Sequence, residues 1–419
     1  MKKLYQNIII TFLAVGCSTS GKEESNELPL NKGVHFTSGH GTTNIPVSVV
    51  KKNEMYHLFY TTGSDEWGQA VSTNMLHWKI SNAVDVPTEE TGDVVLDKVK
   101  SEGAAPNWVI FYSDDIIKAI SSPDQKNWKD YELIFDQSGI EGIPKINQNI
   151  ASDNWTMTVT NEDQIIFLHS DNLKEWKTYN SIENQHEIEY CELVFAKEIP
   201  FLIINGYSGH VRLKFEDRKF QISENQHITN SSKTKGTLFN IEDVTYVISS
   251  ISGKTLSIPL MVELKETGEK LHYKPDILKK ESTGRKRGRL SGLIGAETSW
   301  YNFKLDSLRG QYKLLLSNGN KEEAAIEIAE VDGSITVKTE GVRGESEFSG
   351  KLSEASGIEL DIVIDYNVIE IFINKGEIHF ANYLKSWSVL NSIKVISNNK
   401  EIDPRAMVYG ISQAPNQQL

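Results

Sequence analysis

A repeat of about 50 residues in the first half of the chain constrains its fold most strongly. Each copy has a serine six residues before a Trp-Lys pair, and an Asn or Asp two residues after that serine. The tryptophans Trp78, Trp128 and Trp176 lie 50 and 48 residues apart. A short run of aromatic and aliphatic residues precedes each copy, as at 56–60 and 108–112. Short strands at this interval are typical of β-propeller blades, which bury their faces only against neighbouring blades.

The pattern changes after residue 264. Residues 265–294 are polar and basic, which fits either a polyanion-binding site or a solvated linker. We predict the linker, because the chain carries 57 acidic against 44 basic residues and a net charge of −13. Apolar alternation returns over 295–415, with a hairpin turn at Tyr366-Asn367. The sequence therefore predicts an all-β protein, with a propeller over 32–264 and a C-terminal β-sandwich over 295–415.

The first 17 residues have the character of an export signal. Lys2 and Lys3 precede an apolar run that is too short for a membrane span, which needs about 20 residues. Residues 13–17 resemble a bacterial lipobox and imply lipidation of Cys17; the alternative is an ordinary signal peptide with an incidental cysteine. Polar residues 18–31 are predicted to be a flexible tether. We expect a lipid-anchored protein of the cell envelope, on the surface or periplasmic face of the outer membrane, similar to Bacteroidetes lipoproteins.

Composition excludes several other classes of protein and site. The acidic balance disfavours a nucleic-acid partner, because the chain would repel the phosphate backbone. Two cysteines exclude a disulfide scaffold, and Cys191 is expected to be a buried small apolar residue. The ten histidines are scattered without ligand spacing, and no glycine-rich phosphate loop is present. We therefore expect no metal and no cofactor, and no membrane contact other than the lipid anchor.

Several segments match the motifs of one enzyme family in order. They are His35-Phe36, Thr43-Asn44-Ile45-Pro46, Tyr56-His57-Leu58-Phe59-Tyr60, Trp67-Gly68-Gln69-Ala70-Val71-Ser72 and His77-Trp78. This run resembles the opening of glycoside hydrolase family 32, which includes invertases, levanases and other β-fructosidases. Residues 256–264 resemble the element that closes the family's propeller, and residues 360–380 resemble a hairpin of its C-terminal sandwich. The resemblance implies a five-bladed propeller followed by a β-sandwich, and a carbohydrate such as a β-fructan as partner.

The resemblance also implies where catalytic groups should stand. Family members are retaining enzymes, with a carboxylate nucleophile and a carboxylic acid about 5 Å apart, and a third carboxylate that holds the sugar. The two aspartate positions, in the N-D-P and R-D-P motifs, are occupied here by Ile45 and Ile143. The E-C-P-D-L motif matches 189–193 and places the acid at Glu189, whereas alignment on the cysteine would place Tyr190 there. By their places in these motifs, four residues are expected to contact the carbohydrate: Asn44, Trp67, Tyr190 and Glu192.

Three hypotheses for function follow. An isoleucine can neither attack an anomeric carbon nor balance positive charge, so the first is a family 32-like lipoprotein that binds carbohydrate with impaired catalysis. The second is an active glycosidase that uses Glu189 as acid/base with a displaced second carboxylate; the carboxylates considered are Glu187, Glu192, Asp97 and Glu141. The third is a structural or interaction lipoprotein that does not bind carbohydrate.

Overall fold

The computed structural model describes residues 33–413, with gaps at 39–44, 64–65, 87–90, 98–106, 150–153, 185–187, 197–198, 206–208, 217–218, 229–234, 242, 265–270, 306–310, 319–320, 332–333, 344–346, 351, 353–356 and 386–389. Predictions for Cys17, for residues 1–31, and for Asn44 and Glu187 lie outside the described residues. Strands dominate the described ranges, which also contain two 3-10 helices, Asp276–Lys279 and Leu290–Gly292. Neither helix could cross a membrane, nor does any other described segment form a helix of the required length and apolarity.

Five sheets follow one another along the first part of the chain and form the predicted five-bladed propeller. The first two contain β1 (Pro46–Lys52), β2 (Met55–Thr61), β3 (Glu66–Ser72), β4 (Lys79–Ile80) and β5 (Val84–Asp85), then β6 (Asp93–Asp97), β7 (Asn107–Asp114), β8 (Ile116–Ser122) and β9 (Lys129–Asp130). The third contains β10 (Ile134–Phe135), β11 (Ile143–Asn149), β12 (Asn154–Thr160), β13 (Gln164–Ser170) and β14 (Glu175–Glu183). The last two contain β15 (Cys191–Ala196), β16 (Ile199–Ile204), β17 (Gly209–Glu216) and β18 (Lys219–Ile228), then β19 (Gly236–Ile241), β20 (Val244–Ile251), β21 (Thr255–Leu256), β22 (Leu260–Leu264) and β23 (Leu271–Lys274).

Side chains tie the innermost strand of each open sheet to the next one around a common axis. These strands are β1, β6, β11, β15 and β19, each the first long strand of its sheet. The five hydrogen bonds, in order around the axis, are Ser48 Oγ to Val94 O at 3.0 Å, Ile146 N to Asp93 Oδ2 at 2.7 Å, Asn147 Nδ2 to Leu193 O at 2.6 Å, Leu238 N to Glu192 Oε2 at 2.9 Å, and Thr237 Oγ1 to Val47 O at 2.8 Å. The last bond returns to the first sheet, so the five inner strands surround one axial channel.

The repeated Ser-x-Asn/Asp element is a turn that follows the third strand of a blade. In the third sheet, Ser170 Oγ donates to Asn172 Oδ1 at 3.2 Å. Asn172 Oδ1 also accepts the backbone N–H groups of Lys174 and Glu175. Leu173 adopts a φ of 63°, and the equivalent residues of the first two sheets, Met75 and Gln125, adopt 64° and 61°. The polar pair satisfies backbone groups that this left-handed turn leaves without strand partners.

Two sheets form the C-terminal β-sandwich. Its strands are β24 (Ser282–Arg289), β25 (Thr298–Leu305), β26 (Gln311–Ser317), β27 (Glu322–Val331), β28 (Ser334–Glu340), β29 (Val342–Arg343), β30 (Glu347–Gly350), β31 (Ile358–Asp365), β32 (Val368–Ile373), β33 (Ile378–Leu384), β34 (Ser392–Ser397), β35 (Lys400–Ile402) and β36 (Arg405–Ile411). One sheet has the order β24-β36-β25-β31-β32-β33-β29 and the other β30-β28-β27-β26-β34-β35. Alternate aliphatic residues of both sheets meet in one core, with Tyr301, Leu314 and Ile362 fully buried.

Two strands fall within residues 265–294, the range that the sequence predicts to be a linker. Leu271–Lys274 forms β23 of the fifth propeller sheet, and Ser282–Arg289 forms β24 at the edge of the sandwich. The side chains of β24 are nearly all exposed, so its sequence has no apolar alternation to mark it as a strand. Backbone hydrogen bonds to β36 hold β24 in the sheet. Because β24 is an edge strand, it can pair in this way without an apolar face.

A buried ionic cluster joins the start of the propeller to the sandwich. His35 Nδ1 lies 2.7 Å from Asp365 Oδ2, and His35 Nε2 lies 2.8 Å from Glu370 Oε1. Glu370 also accepts the backbone N–H of Ile258 and faces His379 Nε2 at 3.0 Å. Around this cluster the apolar face of the sandwich packs on the first and fifth propeller sheets, so the two domains share one core.

Candidate functional site

A cavity of about 430 Å³ lies on the propeller axis and touches all five inner strands. Its lining residues come mostly from the middle and the carboxyl halves of those strands, as in 48–51, 145–148 and 238–241. Trp155 and Thr156 of β12 complete the wall. A cavity of this size holds a small molecule of about the size of a monosaccharide or disaccharide.

Three buried charged side chains form one layer of this cavity. Asp93, Lys145 and Glu192 come from three different blades and are 5%, 2% and 6% exposed. Asp93 accepts two backbone N–H groups, from Val94 and Ile146, both at 2.7 Å. Lys145 Nζ donates to Val47 O at 3.1 Å and lies 3.9 Å from Glu192 Oε1. We call these three residues the axial layer.

The axial layer leaves one carboxylate oxygen without a hydrogen bond. Glu192 Oε2 accepts the backbone N–H of Leu238 at 2.9 Å. Within the described part of the chain Oε1 has no hydrogen-bond partner, although it is buried and belongs to a residue that lines the cavity. Because a buried oxygen without a partner is costly, Oε1 is a ready acceptor for a ligand hydroxyl or for water.

Burial also changes the protonation of this layer. Loss of solvent raises the pKa of Glu192 from 4.5 to about 8; the Lys145 ammonium opposes the rise and the Asp93 carboxylate adds to it. Burial raises the pKa of Asp93 in the same way, against the opposing effects of Lys145 and the Ile146 N–H. Glu192 is therefore largely protonated at neutral pH, and its carboxyl group can donate as well as accept a hydrogen bond.

The wall above the axial layer combines aromatic and amide groups. Trp155 and Phe239 supply ring surfaces to the cavity. Asn240 Nδ2 donates to Asn147 Oδ1 at 3.2 Å, and Asn147 in turn donates to Leu193 O, so these amides are held in fixed orientations. Aromatic faces beside oriented amides are the groups that proteins use to bind the faces and hydroxyls of sugars.

The positions inferred for catalysis lie on the amino-terminal side of the axial layer along their strands. Ile45 directly precedes β1, Ile143 begins β11, and Glu189 stands two residues before β15. All three lie at the amino ends of inner strands, and none lines the cavity. Glu189 has a half-exposed side chain that forms an ion pair with Lys235 at 2.6 Å. Among the described residues, no second carboxylate forms a hydrogen bond with Glu189.

Two of the residues expected to contact carbohydrate, Trp67 and Tyr190, are buried. Trp67 is fully buried between the first and second blades, so it presents no surface to a ligand. Tyr190 is also fully buried, and its hydroxyl donates to backbone oxygens of Asn205 and Gly236. Burial raises the pKa of Tyr190 well above 10, so it stays protonated. Of the three described positions, only Glu192 lines the cavity.

The remaining titratable groups considered from the sequence do not form a site. Cys191 is fully buried, as expected, and burial raises the pKa of its thiol to about 12, which makes it unreactive. Asp97 accepts the hydroxyl hydrogen of Tyr131, and Glu141 is exposed. Over the ranges that the structure describes, no three His, Cys, Asp or Glu side chains are arranged to hold a metal ion.

Sequence reasoning missed two members of the axial layer, Asp93 and Lys145. A signal was present, because each is a charged residue within an apolar run of an inner strand, in Asp93-Val94-Val95-Leu96 and Pro144-Lys145-Ile146. Such residues are almost never fully buried unless they are paired. Nothing local in the sequence indicates that the two lie on the same level of one channel.

Comparison with protein families agrees with this architecture. The family model described as "Glycosyl hydrolases family 32 N-terminal domain" matches residues 35–257, more than half of the chain. The chain belongs to glycoside hydrolase family 32. The model of the family 32 C-terminal domain matches residues 218–403, which include most of the sandwich.

Individual family 32 relatives are distant in sequence and close in fold. The chain is 26% identical over 187 residues to a levanbiose-producing levanase of Bacillus subtilis, a match that spans 37% of this chain and 35% of that enzyme. The exo-inulinase of Aspergillus awamori has a similar fold, with a TM-score of 0.69 and 15% identity over 91% of this chain and 98% of the enzyme. The fructofuranosidase of Schwanniomyces occidentalis, solved in complex with fructose, gives a TM-score of 0.68 and 14% identity over 91% and 98% of the two chains.

Proposed function

We propose that this family 32 protein binds a carbohydrate of the fructan type and does not carry out the family's hydrolysis. One observation carries the proposal: the positions of the two family aspartates hold Ile45 and Ile143, at the amino ends of two inner strands of an intact propeller. Loss of the nucleophile from a set of groups that act together costs on the order of 10⁴-fold or more in rate. Glu189, the inferred acid, has Lys235 as its partner rather than a second carboxylate.

The axial cavity is the place where we expect the carbohydrate to bind. Glu192 Oε1 is a buried acceptor without a hydrogen-bond partner among the described residues, Lys145 lies 3.9 Å from it, and Trp155 lines the same cavity. Related proteins include a levanase and a fructofuranosidase solved with fructose, which supports fructose-containing oligosaccharides as the first ligands to test.

A hydrolysis assay at high protein concentration tests the absence of turnover. The purified protein is incubated overnight with levan, inulin, sucrose and fructo-oligosaccharides, and the products are separated by chromatography. We expect no product. Time-dependent release of fructose that disappears in Glu189→Gln would show that the family's acid still works and that the proposal is wrong.

Calorimetric titration with levan and inulin oligosaccharides tests binding in the cavity. We expect Trp155→Ala to weaken binding by about tenfold or more, the usual effect of losing a stacked ring in a binding site. Tyr179→Ala is the matched control, because Tyr179 is an exposed aromatic residue of the same blade that does not line the cavity. Equal binding by both variants would place the ligand elsewhere, and no binding by the unmodified protein would favour a structural or interaction role.

A second candidate function is glycoside hydrolysis with displaced groups. The pKa of Glu192, raised to about 8 by burial, suits a general acid at neutral pH, and Asp93 is the other carboxylate of the axial layer. In that case product release would be lost in Glu192→Gln and retained in Glu189→Gln. This mechanism is excluded if product release is retained in Glu192→Gln and lost in Glu189→Gln. It is also excluded if no form of the protein releases product.

We also propose that Cys17 is acylated and anchors the protein to the outer membrane. The proposal rests on the resemblance of residues 13–17 to a lipobox. The full chain is expressed in bacterial cells that are grown with radiolabelled palmitate. We expect the protein to carry the label, and we expect Cys17→Ser to abolish it. Labelling that survives Cys17→Ser would contradict the anchor.

A further inference from the structure

Strand β24 and its neighbours form a strongly basic surface of the sandwich. The strand reads STGRKRGR, and apart from half-buried Gly288 all of its residues are exposed. Lys279 and Lys280 lie just before it, and Arg405 lies directly opposite Arg289 on β36. We call this surface the β24 patch; its cations are Lys279, Lys280, Arg285, Lys286, Arg287, Arg289 and Arg405.

Ion pairing is absent at the centre of the patch. Some exposed lysines elsewhere in the sandwich do pair with carboxylates, as Lys304 does with Glu359 at 3.2 Å and Lys338 with Glu347 at 3.3 Å. Within the described residues no carboxylate lies within ion-pair distance of Arg285, Arg287 or Arg405. Three members are partly engaged, since Lys279 pairs with Asp276, Lys286 donates to Ile294 O and Arg289 donates to Asp403 O. The core of the patch is a group of uncompensated guanidinium groups on a chain of net charge −13.

The patch has a regular geometry. Arg285, Arg287 and Arg289 alternate along one strand, so their side chains leave the same face at intervals of about 6.8 Å. Their cross-strand partners on that face are Tyr409, Met407 and Arg405. The Tyr409 ring is half-buried and stacks on Trp300, with 4.7 Å between the ring centroids and an angle of 24°. The result is a row of guanidinium groups beside a fixed aromatic platform.

We propose that the β24 patch is a binding site for an anionic polysaccharide, a sugar chain with repeated carboxylate or sulfate groups. Guanidinium forks bind such groups with two parallel hydrogen bonds, and the Tyr409 ring offers a face for a sugar ring. A narrow chain can follow the row and avoid the acidic remainder of the protein. The row is one strand wide, so it matches a single extended chain better than the broad anionic face of a bilayer or of a nucleic-acid duplex. This site is separate from the axial cavity and does not depend on the function proposed above.

Binding of polygalacturonate to the full chain tests the proposal, with neutral dextran as the reference polymer. We expect retention by immobilised polygalacturonate at low salt, no retention by dextran, and a steep loss of retention as salt is added. The double variant Arg285→Ala/Arg287→Ala should lower the affinity by about tenfold or more. The control is Lys321→Ala/Lys338→Ala, which removes the same charge from exposed sites on the other sheet of the sandwich.

The outcomes separate the patch from a general charge effect and from other partners. Equal loss of affinity in the two double variants would mean that net charge alone governs retention, and would overturn the proposal. Chondroitin sulfate and vesicles of phosphatidylglycerol are tested in parallel. Binding of the vesicles through Arg285 and Arg287, without binding of either polysaccharide, would assign the patch to a lipid surface and would equally overturn it. Circular dichroism of each variant checks that the fold is intact.

Discussion

At the scale of single residues, the axial layer governs the chemistry of the propeller interior. Lys145 Nζ lies 3.9 Å from Glu192 Oε1 and acts through its charge on Asp93, and the three side chains are held by backbone groups of neighbouring blades. Burial penalises the charged form of each carboxyl group, which is why their pKa values rise. The layer therefore links protonation directly to the stability of the propeller.

The first prediction concerns the effect of pH on Glu192. Its pKa is about 8 in the folded protein against 4.5 in the unfolded chain, so the folded state holds an extra proton between these values. Stability therefore falls as pH rises from about 4.5 to 8, and Glu192→Gln, which cannot ionise, should remove this part of the slope. Urea unfolding of both proteins across this range measures it. Parallel stability profiles for the two proteins would contradict the raised pKa.

The second prediction concerns Lys145. Replacement by Met removes the hydrogen bond to Val47 O and the cation that opposes the raised pKa values of Glu192 and Asp93, and we expect a loss of about 1–3 kcal/mol in the free energy of unfolding. Denaturant unfolding at pH 7 gives the value. Lys118→Met is the control, because Lys118 forms its ion pair with Asp114 at the surface, where little change is expected. A loss for Lys145→Met no greater than for the control would show that the buried pair does not stabilise the fold.

At the scale of secondary-structure elements, the repeat is explained by one turn used three times. Ser72, Ser122 and Ser170 each accept the backbone N–H of the Asn or Asp two residues later, and that residue then caps the following N–H groups. Edge strand β24 shows the opposite case, since its backbone is ordered although its side chains carry no strand pattern. Turn chemistry is visible in the sequence, whereas edge pairing is not.

The third prediction concerns this turn. Asn172→Ala removes the acceptor for Ser170 Oγ and for two backbone N–H groups, and should lower the free energy of unfolding by about 1–2 kcal/mol. Asn172→Asp should be tolerated, because the second blade has Asp124 at the equivalent position with the same bonds. Thermal unfolding of the two variants tests this. Equal melting temperatures for both would show that the oxygen is not needed.

At the scale of the whole molecule, one ionic cluster joins the two domains. Burial by itself lowers the pKa of His35, but Asp365 and Glu370 outweigh it and raise the pKa from 6.5 to about 9. Burial would likewise raise the pKa of Glu370, but its bonds to His35 and His379 lower it to about 2. The cluster is therefore ionised through the neutral range of pH. The positive charge of His35 belongs to the propeller domain, and the negative charges of Asp365 and Glu370 belong to the sandwich.

The fourth prediction concerns His35. His35→Gln removes the cation between two buried carboxylates and should cost about 3–5 kcal/mol at pH 7. Because the folded pKa of His35 exceeds its unfolded value, its stabilisation is complete below about pH 6.5 and is lost as pH rises through about 9. The difference between the unmodified protein and His35→Gln, measured by calorimetry, should therefore shrink across that interval.

His77→Gln is the control for this experiment. His77 Nε2 also bridges the two domains, but it donates to the backbone oxygen of Ser412 at 3.0 Å near the surface, with no carboxylate involved. Its replacement should cost about 1 kcal/mol. Equal costs for the two histidines, or a difference independent of pH, would contradict the role given to the ionic cluster.

The sequence by itself determined the all-β fold class and the family. These features are carried by local signals: a turn motif, strands at a fixed interval, and motifs in a fixed order, from which the placing of the family's aspartates at Ile45 and Ile143 stays a prediction. Only the tertiary structure decided which side chains share a site. Asp93, Lys145 and Glu192 lie far apart in the chain and meet because three inner strands converge on one axis. Burial on that axis, a property of the assembled blades, sets their pKa values and makes Trp67 and Tyr190 part of the core.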